Sequence, residues 1–277
     1  MIDLHNHILP GLDDGSQSWE QSLEMARMAV DNGITAMVCT PHWVAGKYEN
    51  NRDTILARFA EFGTRLAEAA IPLVIYPGAE LHLSADMTPR ILSRELLTIN
   101  DGGRYALIEL PEGALPDNLE DFFWNMEMKG IKPIISHVER NPVLRKDPMR
   151  LFRWVETGIL TQVTAASLLN EFSEEIQEFS LMLVKNRMTH MLVTDAHGLH
   201  IRIPKIREAC LMVEELVGPE EAHRLCVDTP SRILQGGSVP EVDPIQPAKK
   251  RSRPEANTRS RARKSSNGGF WRRLFKK

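Results

Sequence analysis

Met1-Ile2-Asp3-Leu4-His5-Asn6-His7 opens the chain, and its reading decides the fold. Apolar residues at 2, 4 and 8 alternate with polar ones at 3, 5 and 7, the period of two that marks a β-strand. On such a strand His5 and His7 leave from one face, close enough to grip one cation. Neutral imidazole is the commonest metal ligand, and a His pair on one face is a usual way to begin a site. Alone, a His-x-His pair is a weak signal. What strengthens it is the repetition of the arrangement along the chain.

Six more short apolar runs follow, at 35–39, 73–76, 105–108, 133–136, 160–163 and 191–194. Helical periodicity fills most of the intervals, over about 16–32, 50–70, 118–129, 171–187, 203–217 and 219–226. Ser16 or Ser18 can cap the first helix, and Gly33 stops it. Strands alternating with helices imply a parallel α/β sheet, and seven of them predict a closed or nearly closed barrel. Six of the seven strands carry His, Asp or Glu at or just past their C-terminal ends, which in a β/α barrel share one face.

That face would gather His5, His7, Asp13 or Asp14, His42, Glu80, Glu109, His137, Asp195 and His197. For any one of them a loop or cap role is the ordinary explanation. For nine ligand-competent positions together it is a poor one. Imidazoles and carboxylates without thiolate suit Mn, Zn or Fe, and the donors outnumber what one ion can use. Two or three divalent ions are therefore expected.

Composition narrows the remaining classes. At 277 residues the chain can bury a full core. It has no run of some 18 apolar residues and no basic-then-apolar start, so neither a membrane-spanning helix nor a signal peptide is expected. Cys39, Cys210 and Cys226 are too scattered for a disulfide framework and fit a reducing cytoplasm. Residues 241–277 hold 12 Lys/Arg against 3 Asp/Glu, which leaves 22 against 34 in the first 240. An acidic body with a basic tail is a poor nucleic-acid enzyme.

The sequence resembles the polymerase and histidinol phosphatase (PHP) domain. Within it, the chain is most similar to the manganese-dependent bacterial protein tyrosine phosphatases of capsule and exopolysaccharide systems. The matching segments are Asp3-Leu4-His5-Asn6-His7, Leu12-Asp13-Asp14-Gly15, Thr40-Pro41-His42, Gly78-Ala79-Glu80, Tyr105 to Glu109, Ser136 to Arg140 and Asp195-Ala196-His197. In order, they span a domain of residues 1–235. The Asp-Asp-Gly turn and the His-x-Glu-Arg segment favour the tyrosine phosphatase branch.

The resemblance implies a distorted (β/α)7 TIM-like barrel. It implies a first metal on His5, His7, Glu80 and Asp195, and a second sharing Glu80 and adding Glu109 and His137. A third would take Asp14, favoured over Asp13, with His42 and His197. Arg140 and Arg202 match arginines that the family places near the substrate phosphate, and segment 198–204 departs from the pattern of close relatives. Manganese is the first choice of metal, with iron or zinc as alternatives. Hydrolysis by metal-activated hydroxide needs little acid help for a tyrosinate leaving group of pKa roughly 10, though His42 or His197 can supply it. The implied partner is a membrane-associated tyrosine kinase. A small phosphate ester such as histidinol phosphate is the alternative substrate, and a non-catalytic protein acting through its tail is the alternative of another class.

Two features lie outside this pattern. Cys226-Val227-Asp228-Thr229-Pro230-Ser231-Arg232 fits the Cys-x5-Arg of thiol phosphatases, but Pro230 lacks an N–H and no apolar strand precedes the cysteine. A buried structural thiol is expected instead. From 236 to 269 the composition predicts a disordered basic linker. Residues 270–277, Phe-Trp-Arg-Arg-Leu-Phe-Lys-Lys, are amphipathic and suit either peripheral contact with the inner face of an anionic membrane or a docking partner.

Overall fold

The computed structural model describes residues 1–248. Ten strands occur among them: β1 Ile2–Asn6, β2 Ala36–Cys39, β3 His42–Val44, β4 Tyr48–Glu49, β5 Val74–Pro77, β6 Glu80–His82, β7 Tyr105–Glu109, β8 Lys132–Ile135, β9 Leu160–Thr164 and β10 Met191–Val193. They form seven staves rather than ten, because β2 and β3 are successive lengths of one stave, as are β5 and β6, and β4 pairs only with β3, antiparallel and outside the ring. Thr40-Pro41 breaks the first pair and Gly78-Ala79 the second. A Cβ on Gly78 would lie 2.7 Å from Val38 Cγ1, so the break needs a residue without a side chain.

Pairing runs β1–β2–β5 along the lower part and β10–β9–β8–β7–β6–β3 along the upper part, all parallel. The ring closes where Asp195 N–H donates to His5 O (2.8 Å) and His7 N–H to Ala196 O (2.8 Å). Between β5 and β7 the lower rim is unpaired. There the turn Ile99–Asp101 and the helix Thr229–Leu234 fill the gap, and Asn100 Nδ2 ties them by donating to Leu234 O (3.1 Å).

Two apolar layers follow from this. Leu4, Val38, Leu107, Ile134, Met191 and Val193 fill the lower bore, plugged from below by Ile233 and Leu234. The second layer lies between the staves and the surrounding helices, with Phe62, Phe123 and Trp154 among its largest buried side chains. The helices start as their caps dictate. Ser18 Oγ accepts from Gln21 N–H (3.2 Å) ahead of the helix Trp19–Asp31, so Ser18 rather than Ser16 is the cap.

Three expectations change. The alternation of the first strand does not hold, because Asp3 pairs with Met37 and Asn6 with Cys39, so Leu4 and His5 together oppose Val38. This β-bulge turns both side chains inward, Leu4 into the lower bore and His5 above it. Residues 142–156, to which sequence periodicity assigned no element, form two helices, Pro142–Lys146 and Pro148–Glu156.

The third change concerns the linker expected from 236. Arg104 Nη1 donates to Gly236 O (2.5 Å) and Tyr105 Oη to Gly237 O (2.5 Å). Val239 and Val242 pack on the two apolar layers, and Ile245 exchanges two bonds with Asn186, each 2.8 Å. The packed unit therefore runs to Pro247. Residues 249–277, including most of the expected linker and the segment 270–277, lie outside the described residues.

Candidate metal centre

The upper ends of the staves bring the expected donors together. His5, His7, Glu80 and Asp195 are buried and place one donor atom each within 4.8 Å of the others, as do His7, Asp14, His42 and His197, and also His42, Glu80 and Glu109. His137 Nε2 joins them 3.0 Å from Glu80 Oε1 and 3.6 Å from Glu109 Oε1. All nine residues lie in one connected cluster. Three of the residues that build the site, His137, Asp195 and Arg202, hold a positive φ (29°, 52° and 50°), a conformation that non-glycine residues adopt at a cost of order 1–3 kcal/mol.

Hydrogen bonding fixes which ring nitrogens face the centre. His7 Nδ1 lies 2.7 Å from Asp13 Oδ2 and His5 Nδ1 lies 3.1 Å from Gln162 Oε1, so each ring carries its proton there. His197 Nδ1 lies 2.9 Å from Asp195 O, with the same result. The Nε2 lone pairs of His5 and His7 then face each other across 3.2 Å, beside Glu80 Oε2 and Asp195 Oδ1. Acceptors crowd acceptors. Glu80 Oε2, Asp195 Oδ1, His42 Nδ1 and His197 Nε2 are all buried and have no hydrogen-bond partner. A divalent cation is the partner this donor set fits.

Ionisation agrees with that reading. Burial raises Glu80 and Asp195, but His5 and His137 around the first, and Arg140 and His5 around the second, hold both well below the usual carboxylate range. Burial lowers His42, and lowers His197 to about 2, so both rings are neutral. Burial also pulls on His5 and His7, but Glu80 and Asp195 outweigh it at the first and Asp13 at the second, holding both above the ordinary value. A cation binding there displaces protons.

The second carboxylate of the turn is thus distinguished from the first. Asp13 is buried and accepts from His7 Nδ1, His42 N (2.8 Å) and Gly15 N (2.9 Å). It orients His7. Asp14, with its side chain 52% exposed, reaches His42 Nε2 at 3.6 Å and His197 Nε2 at 3.8 Å and closes the outer group. A neutral His42 has one lone pair, so it serves either this group or the Glu80–Glu109 group, not both.

Arg140 and Arg202 both donate through Nη2 to Asp195 Oδ2, and both line a cavity of about 410 Å3 above the centre. Their Nε atoms are buried without an acceptor. The sequence reading missed Gln162 and the role of Asp13. It also missed His82, whose Nδ1 lies 3.3 Å from Glu109 Oε2 and whose spacing from Glu80 is the same i, i+2 that exposed His5 and His7. Cys226 is buried in a π-helical turn, Arg224–Asp228, with no phosphate-sized loop around it, as a structural thiol requires.

A parallel barrel whose upper rim carries clustered imidazoles and carboxylates defines a class, the metal-centred hydrolase barrel. The phosphotriesterase homology protein of Escherichia coli shares this fold at a TM-score of 0.53 and 11% identity over 83% of this chain and 97% of its own. The chain belongs to the capsular polysaccharide synthesis family CpsB/CapC, whose model matches residues 1–235. Tyrosine-protein phosphatase YwqE of Bacillus subtilis is 35% identical over 91% of this chain and 98% of its own. Tyrosine-protein phosphatase CpsB of Streptococcus pneumoniae is 29% identical over 84% and 98%. A crystal structure from work on these two proteins, described as unique metal-dependent tyrosine phosphatases, superposes at a TM-score of 0.85 with 34% identity, covering 90% of this chain and all of that one.

Proposed function

We propose that this chain is a metal-dependent phosphatase that hydrolyses phosphotyrosine on a bacterial tyrosine kinase controlling capsule or exopolysaccharide synthesis. The observation that carries the reading is the set of buried, unpartnered acceptors on Glu80, Asp195, His42 and His197 beside the unpartnered donors of Arg140 and Arg202. Unsatisfied acceptors call for a cation, and unsatisfied guanidinium N–H groups beside them call for an anion.

His5, His7, Glu80 and Asp195 would hold one ion, Glu80, Glu109 and His137 a second, and Asp14, His42 and His197 a third. Manganese suits such a set, as do iron and zinc. When bound, the ions supply charge that activates water and polarises phosphoryl oxygens. The chain supplies the rest. Asp13 and Gln162 orient His7 and His5, while Asp195 aligns both arginines beside the donors. Arg140 and Arg202 then bind the phosphate and neutralise charge that develops on its oxygens. The departing phenolate, with a pKa of roughly 10, leaves without strong acid help, so the neutral rings of His42 and His197 need supply no proton.

The deepest donors are fully buried below the cavity, so the ester must reach down to them. A phosphotyrosine does so on its ring, whereas a phosphoserine would have to bring its backbone into the opening. No described helix is long and apolar enough to cross a membrane, and residues 270–277 would provide peripheral contact near a membrane-bound kinase.

Elemental analysis of the purified protein, with turnover of a phosphotyrosine peptide before and after chelation, tests the proposal. Bound divalent metal and chelator-sensitive turnover are expected. A metal-free protein that is fully active, or a metal-loaded one active only on histidinol phosphate, overturns it.

A further inference from the structure

One wall of the cavity carries, beyond the ligand His42, residues that are neither metal ligands nor phosphate-binding arginines. It is the hairpin of β3 and β4, where Val44 pairs with Tyr48 and Trp43 with Glu49 in antiparallel register. β4 bonds to no other strand and adds nothing to barrel closure. Even so, the hairpin is firmly fixed. Asn50 Nδ2 donates to Leu12 O (2.7 Å) and to His42 O (2.9 Å), binding the hairpin's end to the turn that carries Asp13 and Asp14.

Tyr48 faces the site from this hairpin. Its ring lies 9° from the plane of His42 with centroids 5.9 Å apart, and Lys47 Nζ sits 4.6 Å from its centroid. Val44, Lys47 and Tyr48 all line the cavity that Arg140 and Arg202 line from other loops. An ester whose phosphate is held by the arginines must pass its organic group along these walls.

We infer that Tyr48 is the specificity-determining residue that selects an aryl over an alkyl phosphate. The inference rests on the phosphatase reading and deepens it. Stacked on His42, the ring is already ordered, so an incoming aromatic ring gains contact area without immobilising a loose side chain. An aromatic pair contributes about 0.5–1.5 kcal/mol beyond its buried area, equivalent to a preference of roughly three- to tenfold. Tyr48 is not a ligand and does not touch the reacting bond, so the effect falls on binding rather than on the chemical step.

Phenylphosphonate and methylphosphonate separate the aryl group from leaving-group chemistry, since neither is hydrolysed. Their affinities for the metal-loaded full chain are measured by calorimetry for wild type, Tyr48→Leu and Tyr48→Phe, with metal content checked for each. Wild type is expected to prefer phenylphosphonate, Tyr48→Leu to reduce that preference three- to tenfold, and Tyr48→Phe to keep it. With a phosphotyrosine peptide, Tyr48→Leu should raise KM more than it lowers kcat. If Tyr48→Leu weakens both phosphonates equally, the residue only positions His42 and the inference fails. If the preference is unchanged while wild type still hydrolyses phosphotyrosine, the inference fails and the phosphatase reading stands. A wild type that neither hydrolyses phosphotyrosine nor binds either phosphonate removes both.

Discussion

Asp13 and Asp14 are adjacent and chemically identical, yet the turn gives them different tasks. Asp13 is buried and donates nothing to the centre directly; its carboxylate fixes the proton of His7 on Nδ1 and frees Nε2 for a cation. Asp13→Asn can offer its amide N–H where the carboxylate accepted, which favours the wrong imidazole tautomer. Loss of such an outer partner typically lowers metal affinity 10–100-fold. Competition with a graded series of chelators should show that loss for Asp13→Asn. Asp195 carries a second kind of double duty, with Oδ1 toward the centre and Oδ2 accepting from both arginines. Asp195→Asn removes the charge that both sets need, so turnover of a phosphotyrosine peptide should fall below detection while circular dichroism stays native. The same outcome is expected for His137→Ala, and full turnover by either variant with metal present would remove the ligand assignment.

Single elements position these residues by small irregularities. Gly15 closes the turn that carries Asp13, and a Cβ there would lie 2.2 Å from His7 O and 2.4 Å from His7 Cβ, so the turn and β1 must touch backbone to backbone. Gly15→Ala should therefore cost metal binding as well as stability, measured as bound metal per chain and melting temperature together. Elsewhere His190 holds β9 and β10 in register, its Nδ1 accepting from Thr161 N–H (3.1 Å) and its own N–H donating to Thr161 O (3.0 Å). Burial and the nearby Arg224 lower its pKa to about 3. The unfolded chain, with an ordinary value near 6.5, binds the proton first as pH falls. Stability is thus complete above about pH 6.5 and lost progressively toward pH 3, by about 2 kcal/mol at pH 5. Urea midpoints at pH 7 and 5 should differ accordingly, and His190→Asn, which retains an acceptor near Nδ1, should flatten that part of the difference. What the sequence made legible follows from the same local physics. Glu80, Glu109, His137 and Asp195 were readable because each ends or follows an apolar run. The bulge at Leu4 and His5 was not, since a two-for-one register depends on β2. The helices at 142–156 were hidden because Pro142 and Pro148 look like breakers, although each sits in a first turn behind a cap, Asn141 or Asp147. Asp13 could not be told from Asp14, because burial within one turn depends on what packs over it.

At the scale of the whole molecule the two ends of the barrel do different work. The upper rim collects charged and polar groups, among them buried acceptors of Glu80, Asp195, His42 and His197 that have no hydrogen-bond partner, while the lower bore is apolar and closed by Ile233, Leu234 and the strap 236–247 that follows. Stability made at one end supports strain at the other, where three site residues hold positive φ. The strap is part of that lower closure. It accepts the Tyr105 hydroxyl at Gly237 O, packs Val239 on the inner layer and Val242 on the outer one, and pairs Ile245 with Asn186. Removing it would expose the half-buried Val239 and Val242, worth about 1 kcal/mol each, and leave the Tyr105 hydroxyl without its acceptor, at about 1 kcal/mol. A chain ending after Gln235 should lose about 3 kcal/mol and melt roughly 6–12 °C lower than the full chain. A chain ending after Pro247 keeps every one of these contacts and should melt with the full chain. Both truncations leave the upper rim untouched, so metal content and phosphotyrosine turnover measured well below the melting range should match the full chain. Equal melting temperatures for the two truncations would mean that the lower closure ends at the helix Thr229–Leu234 and that residues 236–247 contribute nothing to it.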